Sequence, residues 1–450
     1  MITLSSNRVL FSTNVEPSPG TLQIDSRTGL VAAIYDYKLD SVDHDYGDLV
    51  IMPGLVDSHV HLNEPGRTDW EGFESGTRAA ISGGVTTVVD MPLNAIPPTT
   101  TVENLHIKLA ASQDQCYSDV AFWGGVIPGN HDDLRPLVDA GVRGFKCFLI
   151  NSGVEEFPHV SPNEVAIAME ALQDTDSILM FHAEMDSSIT DVSTVDVSNQ
   201  HSYRRFLDSR PDSFEVDAIT QVIKIARDYP RLRLHIVHLA SAQALPILRE
   251  AQASGVRITA ETCFHYLTFQ VDDIPENGTQ YKCCPPIRTQ SNREGIWDAL
   301  KDGTITSVVS DHSPCTPKLK EGDFMSAWGG VSALGLGLQI LWTEASRRNF
   351  TIGDVARWTS ANTAKQTHLF PRKGALQIDS DADIVIWDPE TQWTVALDDL
   401  HFKNKVSPYL GMKLKGRIRE SWLRGRKVWS SEHGWSSASG RTILQSAETS

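Results

Sequence analysis

Leu49-Val50-Ile51-Met52-Pro53-Gly54-Leu55-Val56-Asp57-Ser58-His59-Val60-His61-Leu62 is an apolar run that closes on two histidines one residue apart. Strand side chains alternate with period two, so His59 and His61 point to the same face. Neighbouring imidazoles at a strand end are a ready pair of ligands for a divalent transition metal. Further ligands are then expected at the ends of later strands.

Working outward, apolar runs alternate with helix-like stretches from residue 51 onward. After the run at 55–62 come 86–90, 120–123, 144–150, 178–182, 232–238, 256–260 and 306–311, eight in all. Helical patterns fall between them, as at 164–172 and 216–227. Eight buried strands with helical crossovers predict an α/β protein with a closed, TIM-like (β/α)8 barrel over residues 51–365. The two ends have another texture. Strand-like runs at 31–35, 383–387, 417–422 and 427–429 are separated by polar turns. Neither end can build a core alone, so residues 1–50 and 366–430 are expected to pair as one small β-rich domain. Residues 431–450, rich in Ser and small polar side chains, read as a flexible tail.

Bulk properties narrow the function. The net charge of −17 argues against nucleic acid or an anionic membrane surface as partner. No apolar run nears the ~18 residues of a membrane span. No basic region followed by a long apolar stretch marks a signal peptide. The six cysteines have no paired-ligand spacing and read as reduced thiols of an intracellular, cytoplasmic protein.

Barrel chemistry gathers where the strands end in loops at their C-terminal face. His59 and His61 close the first strand, Lys146 lies in the fourth, His182 closes the fifth, His238 the sixth and Asp311 the eighth. One histidine closing a strand is usually a hydrogen-bonding residue, and one aspartate there is usually a cap. The joint pattern favours a shared metal site. His235 is out of phase with His238, and His106, His131, His201, His368 and His401 lack a strand-end setting; these read as ordinary histidines. Lys146 has two readings. Its apolar neighbours either force a neutral amine, which can take up carbon dioxide as a metal-bridging carbamate, or its head snorkels to water.

These residues resemble the amidohydrolase superfamily, in its cyclic-amidase branch, and most closely the allantoinase family. The resemblance is carried by the run from Met52 to Arg67, by Gly83 to Asn94 with Pro97-Pro98-Thr99-Thr100, and by Gly144-Phe145-Lys146. It continues through His182-Ala183-Glu184, His235-Ile236-Val237-His238, Glu261-Thr262-Cys263, Pro285-Pro286-Ile287-Arg288 and Ser310-Asp311-His312-Ser313-Pro314. It implies two divalent ions, zinc above all, with His59, His61 and Asp311 on one, His182 and His238 on the other, and carbamylated Lys146 between them. It also implies a homotetramer and hydrolysis of the hydantoin ring amide of (S)-allantoin to allantoate in purine breakdown. A metal-activated hydroxide would attack, and Asp311 would carry the proton to the leaving nitrogen.

Neighbouring positions separate the branches. Dihydroorotases have an arginine where this chain has Asn63, and hydantoinases a tyrosine where it has Asn151. Both differences suit allantoin, a neutral ring with a ureido arm. The segment 327–332 is similar to the family's substrate loop. Asn151, Ser152, Cys284 and Ser332 are the expected substrate contacts, while Asp57 and Asp90 either support the ligand histidines or serve turns and caps. Two departures stand out: Phe264 replaces a usual proline, and Cys284 a usual serine. The alternatives are a hydantoinase- or dihydropyrimidinase-type enzyme, or a non-catalytic scaffold that keeps the fold.

Overall fold

The computed structural model describes residues 1–186 and 201–445. Eight parallel strands form the barrel: β1 (Leu55–Val60), β2 (Val85–Asp90), β3 (Asp119–Phe122, resuming at Gly124–Gly125), β4 (Phe145–Phe148), β5 (Ile178–His182), β6 (Arg233–Ile236), β7 (Ile258–Cys263) and β8 (Ser307–Val309). Pairing runs in order from β1 to β3 and from the resumed part of β3 to β8. A parallel bridge between Val60 and His312 closes the ring. Each strand coincides with a run read from the sequence. The reason is burial on both faces: β1, β2 and β4 are buried at every position, as parallel strands covered by helices must be. The helix Pro162–Leu172 starts with a reciprocal cap between Ser161 and Glu164, and Asp212–Ala226 buries one apolar face.

The chain ends join as expected. Val50–Pro53, which leads straight into β1, pairs antiparallel with Ile384–Thr394. This seam unites strands from both termini in one nine-stranded sheet. Its core takes Leu4, Leu22, Ile24 and Val31 from one end and Ile384, Ile386 and Trp422 from the other. The last segment differs from the loose tail that composition suggests. Val120 in β3 donates to Arg441 O (2.9 Å) and accepts from Ile443 N (2.8 Å), and Gln445 N reaches Gly141 O (2.8 Å). The final five residues of that tail lie outside the described residues. No helix among the described residues is long and apolar enough to cross a membrane.

A buried ionic knot ties barrel, sheet and tail together. Lys373 Nζ lies 2.6 Å from Asp119, 2.8 Å from Asp381 and 2.6 Å from Asp383. Arg424 also pairs with Asp119, which accepts from Arg441 N at 2.8 Å. Three close carboxylates could hold a cation, and here the ammonium supplies that charge. Lys373→Met leaves them without it and is expected to cost about 3–5 kcal/mol, read as a lower urea midpoint.

Candidate metal centre

The C-terminal rim of the barrel brings the predicted ligands together. His59, His61 and Asp311 offer ligand atoms all within 4.8 Å of one another. Asp311 Oδ1 is 3.1 Å from His59 Nε2 and 3.5 Å from His61 Nε2. His182 Nδ1 faces His238 Nε2 at 3.0 Å, and the His59 and His238 rings are 5.3 Å apart. His238 and Asp311 each lie two residues beyond their strands and have left-handed backbones, with φ of 41° and 43°. Non-glycine residues rarely adopt this conformation, and it concentrates at functional sites.

Carboxylates behind the histidines orient them. Glu261 on β7 meets His59 Nδ1 at 2.6 Å and His235 Nε2 at 3.1 Å, and His235 Nδ1 reaches Thr259 Oγ1 at 2.7 Å. Glu184 holds His182 Nε2 at 2.6 Å and is gripped by Arg210 through Nε (2.9 Å) and Nη2 (2.6 Å). A ring nitrogen that donates to carboxylate leaves the opposite lone pair free for an ion. That leaves His59 Nε2 and His182 Nδ1 as the ring nitrogens able to accept an ion. Glu261→Gln weakens the acceptor behind His59 and is expected to lower activity about 10–100-fold, with a matching loss of metal affinity in a chelator competition.

The electrostatics suit cations. Burial opposes a charge on His59, but Asp311 and Glu261 outweigh it and raise its pKa to about 9. Burial pushes His182 down to about 4 and, with Lys146 and His182 nearby, holds His238 well below the usual histidine range. Burial also lowers Lys146 to about 8, which favours its neutral amine. Its Nζ lies 5.0 Å from the Phe148 ring centroid, and the residue lines the cavity while only 1% exposed. His238 Nδ1 is buried without a hydrogen-bond partner. Orphaned nitrogen, converging lone pairs and a buried lysine make a donor set that fits divalent ions.

His59, His61, Lys146, His182, His238 and Asp311 floor a cavity of about 310 Å³, walled by Asn94, Phe148, Arg210, Trp328 and Gly329 among others, a volume suited to a small molecule. Asn151, Ser152 and Cys284 lie in its lining. Ser152 Oγ, however, donates within its own loop, to Phe157 O at 2.5 Å. Ser332 is placed differently: it is buried, and its carbonyl accepts from Ser407 Oγ at 2.6 Å. Asn63 is buried too, its carboxamide turned to Pro314 O at 3.4 Å.

Asp57 and Asp90 do not reach a ligand imidazole. Asp57 accepts from the backbone N–H of His59 and Ser310, both at 3.3 Å. Asp90 accepts from Leu62 N at 2.8 Å and pairs with buried Lys108 at 2.5 Å. They shape the backbone that carries the histidines. Sequence reading missed the roles of Glu184, Glu261, His235 and Arg210. An acidic residue on a barrel strand was the available signal for Glu261. His265 was missed too: it is fully buried beside Cys263 and Asp311, with both ring nitrogens unpartnered.

A barrel whose rim gathers histidines, an aspartate and a buried lysine over a small-molecule cavity has the architecture of a metal-dependent hydrolase. The model of the Amidohydrolase family matches residues 50–428. The chain is 52% identical to an allantoinase of Saccharomyces cerevisiae over 92% of this chain and 90% of that protein. It is 44% identical to an allantoinase of Streptomyces avermitilis over 95% of both. Its fold superposes on an L-hydantoinase (dihydropyrimidinase) from Arthrobacter aurescens with a TM-score of 0.92, at 24% identity, covering 99% of this chain and 100% of that one. The chain belongs to the amidohydrolase family, and within it to the allantoinases.

Proposed function

We propose that this protein opens the hydantoin ring of (S)-allantoin by hydrolysing its ring amide, releasing allantoate. The observation that carries the reading is the convergence of His59, His61, Lys146, His182, His238 and Asp311 on one cavity, in a chain 52% identical to an allantoinase over most of its length. His59, His61 and Asp311 would hold one divalent ion, His182 and His238 the other, and Lys146, as its carbamate, both. Zinc suits these imidazole and oxygen donors. When bound, the ions supply Lewis acidity and acidify water.

The chain's own residues do the rest. Glu261 and Glu184 fix the imidazoles behind the reacting centre. The carboxylate of Asp311 accepts the proton of the nucleophile and passes it to the leaving ring nitrogen. The segment at 327–330 and the loop at Asn151 wall the ring, and Cys284 contributes by its backbone. The same reading extends to a cytoplasmic homotetramer, the assembly that the family resemblance implies.

Product identification with pure (S)-allantoin tests the reaction. Allantoate is expected, with two divalent ions per chain in the same sample. Faster turnover of hydantoin or dihydrouracil than of allantoin would replace the proposed substrate.

A further inference from the structure

Two buried lysines beside the cavity have no part in the chemistry above. Lys320 closes the short helical turn Pro317–Lys320, and Lys282 follows the turn Thr279–Tyr281. Lys320 Nζ donates to the carbonyls of Gly330 (2.6 Å), Trp328 (2.8 Å) and Thr279 (3.4 Å). Lys282 Nζ donates to the carbonyls of Ala327 (2.5 Å) and Met325 (3.0 Å). An ammonium has three donors and no acceptor. Lys320 thus satisfies itself wholly on backbone oxygen, which is what keeps a buried charge tolerable.

Backbone contacts tie the same three segments. Trp328 N reaches Leu319 O at 2.8 Å, Gly330 N reaches Lys282 O at 2.8 Å, and Ala327 N reaches Asp323 O at 2.9 Å. Across 327–330, every backbone N–H and carbonyl now has a partner among the described residues except the two of Gly329. Gly329 lines the cavity. A Cβ at Gly330 would stand 2.2 Å from Ser313 O, so this stretch of backbone is pressed against its support.

We propose that Lys320 and Lys282 are positioning residues that hold the carbonyls of Met325, Ala327, Trp328 and Gly330 and leave the Gly329 N–H and carbonyl as the segment's free donor and acceptor. A cyclic ureide offers the matching acceptor and donor, so the inference rests on the proposed substrate class. The lysines act through the segment and not on the reacting carbonyl. Their loss therefore falls on substrate binding.

Lys320→Met and Lys282→Met are expected to raise KM for allantoin about tenfold or more while kcat stays within about threefold, with metal content unchanged. Lys320→Gln keeps two N–H donors and is expected to recover part of the affinity, which mere filling of space would not. Amide hydrogen exchange over 325–330 is expected to quicken in Lys320→Gln against the native protein. This measurement needs no substrate and decides the matter if the methionine variants fail to fold. Unchanged KM in both methionine variants, or unchanged exchange in Lys320→Gln, overturns the proposal. Absence of allantoin turnover by the native enzyme would instead reject the substrate and leave the exchange experiment to judge the clamp.

Discussion

Asp311→Asn is expected to lower kcat on allantoin by about three orders of magnitude or more, with the fold intact. The two side chains have the same shape, so the buried pocket is refilled without a cavity. What disappears is charge and basicity. Asp311 Oδ1 stands 3.1 Å from His59 Nε2 and 3.5 Å from His61 Nε2, and burial, which raises a carboxyl pKa, is outweighed by His59, so that Asp311 lies well below the usual carboxylate range. An amide is neither an anionic ligand nor a proton carrier at neutral pH. Steady-state kinetics with metal analysis on the same preparation separate these losses. A variant that keeps both ions and is inactive has lost the proton carrier, whereas one that drops an ion has lost a ligand. Activity within about tenfold of the native enzyme would remove Asp311 from the chemistry.

The barrel was legible because its strands are buried on both faces. A run such as Val85-Thr86-Thr87-Val88-Val89-Asp90 has few other uses in a chain that alternates with helices. The rim residues were legible for a related reason: a histidine closing an apolar strand, repeated down the chain, breaks the pattern in the same place each time. The supporting residues were not legible. Glu184 and Arg210 meet across 26 positions, and His59 and Glu261 across 202, so no local spacing announces either pair. His235 was out of phase with the ligands for a good reason, since it braces Glu261 from behind. The burial of Ser332 was hidden too, because a loop's path, unlike a strand's, is set by what it packs against. Lys282 and Lys320 were equally hidden: their partners are carbonyls, which carry no sequence signal.

Lys146→Met is expected to abolish activity and, in metal-free protein, to raise stability by about 1–3 kcal/mol. The opposite signs are the content of the prediction. Lys146 is 1% exposed, and burial outweighs the pull of Asp311 and Glu261, lowering its pKa to about 8 rather than raising it as a close salt-bridge partner would. It sits instead over the Phe148 ring, in a strand whose every residue is buried. A charged group in that setting destabilises the fold that contains it. Methionine has nearly the same length and fills the same space with no charge to bury. A lysine kept for packing or pairing, like Lys373 among its three aspartates, would lose stability on the same change. A lysine kept for ligation does the reverse, because its benefit exists only in the loaded site. Urea unfolding of both metal-free proteins, with metal uptake in bicarbonate buffer alongside, gives the comparison. A lower midpoint for the variant, or uptake of two ions per chain equal to that of the native protein, would make Lys146 a structural residue and remove the bridge from the centre.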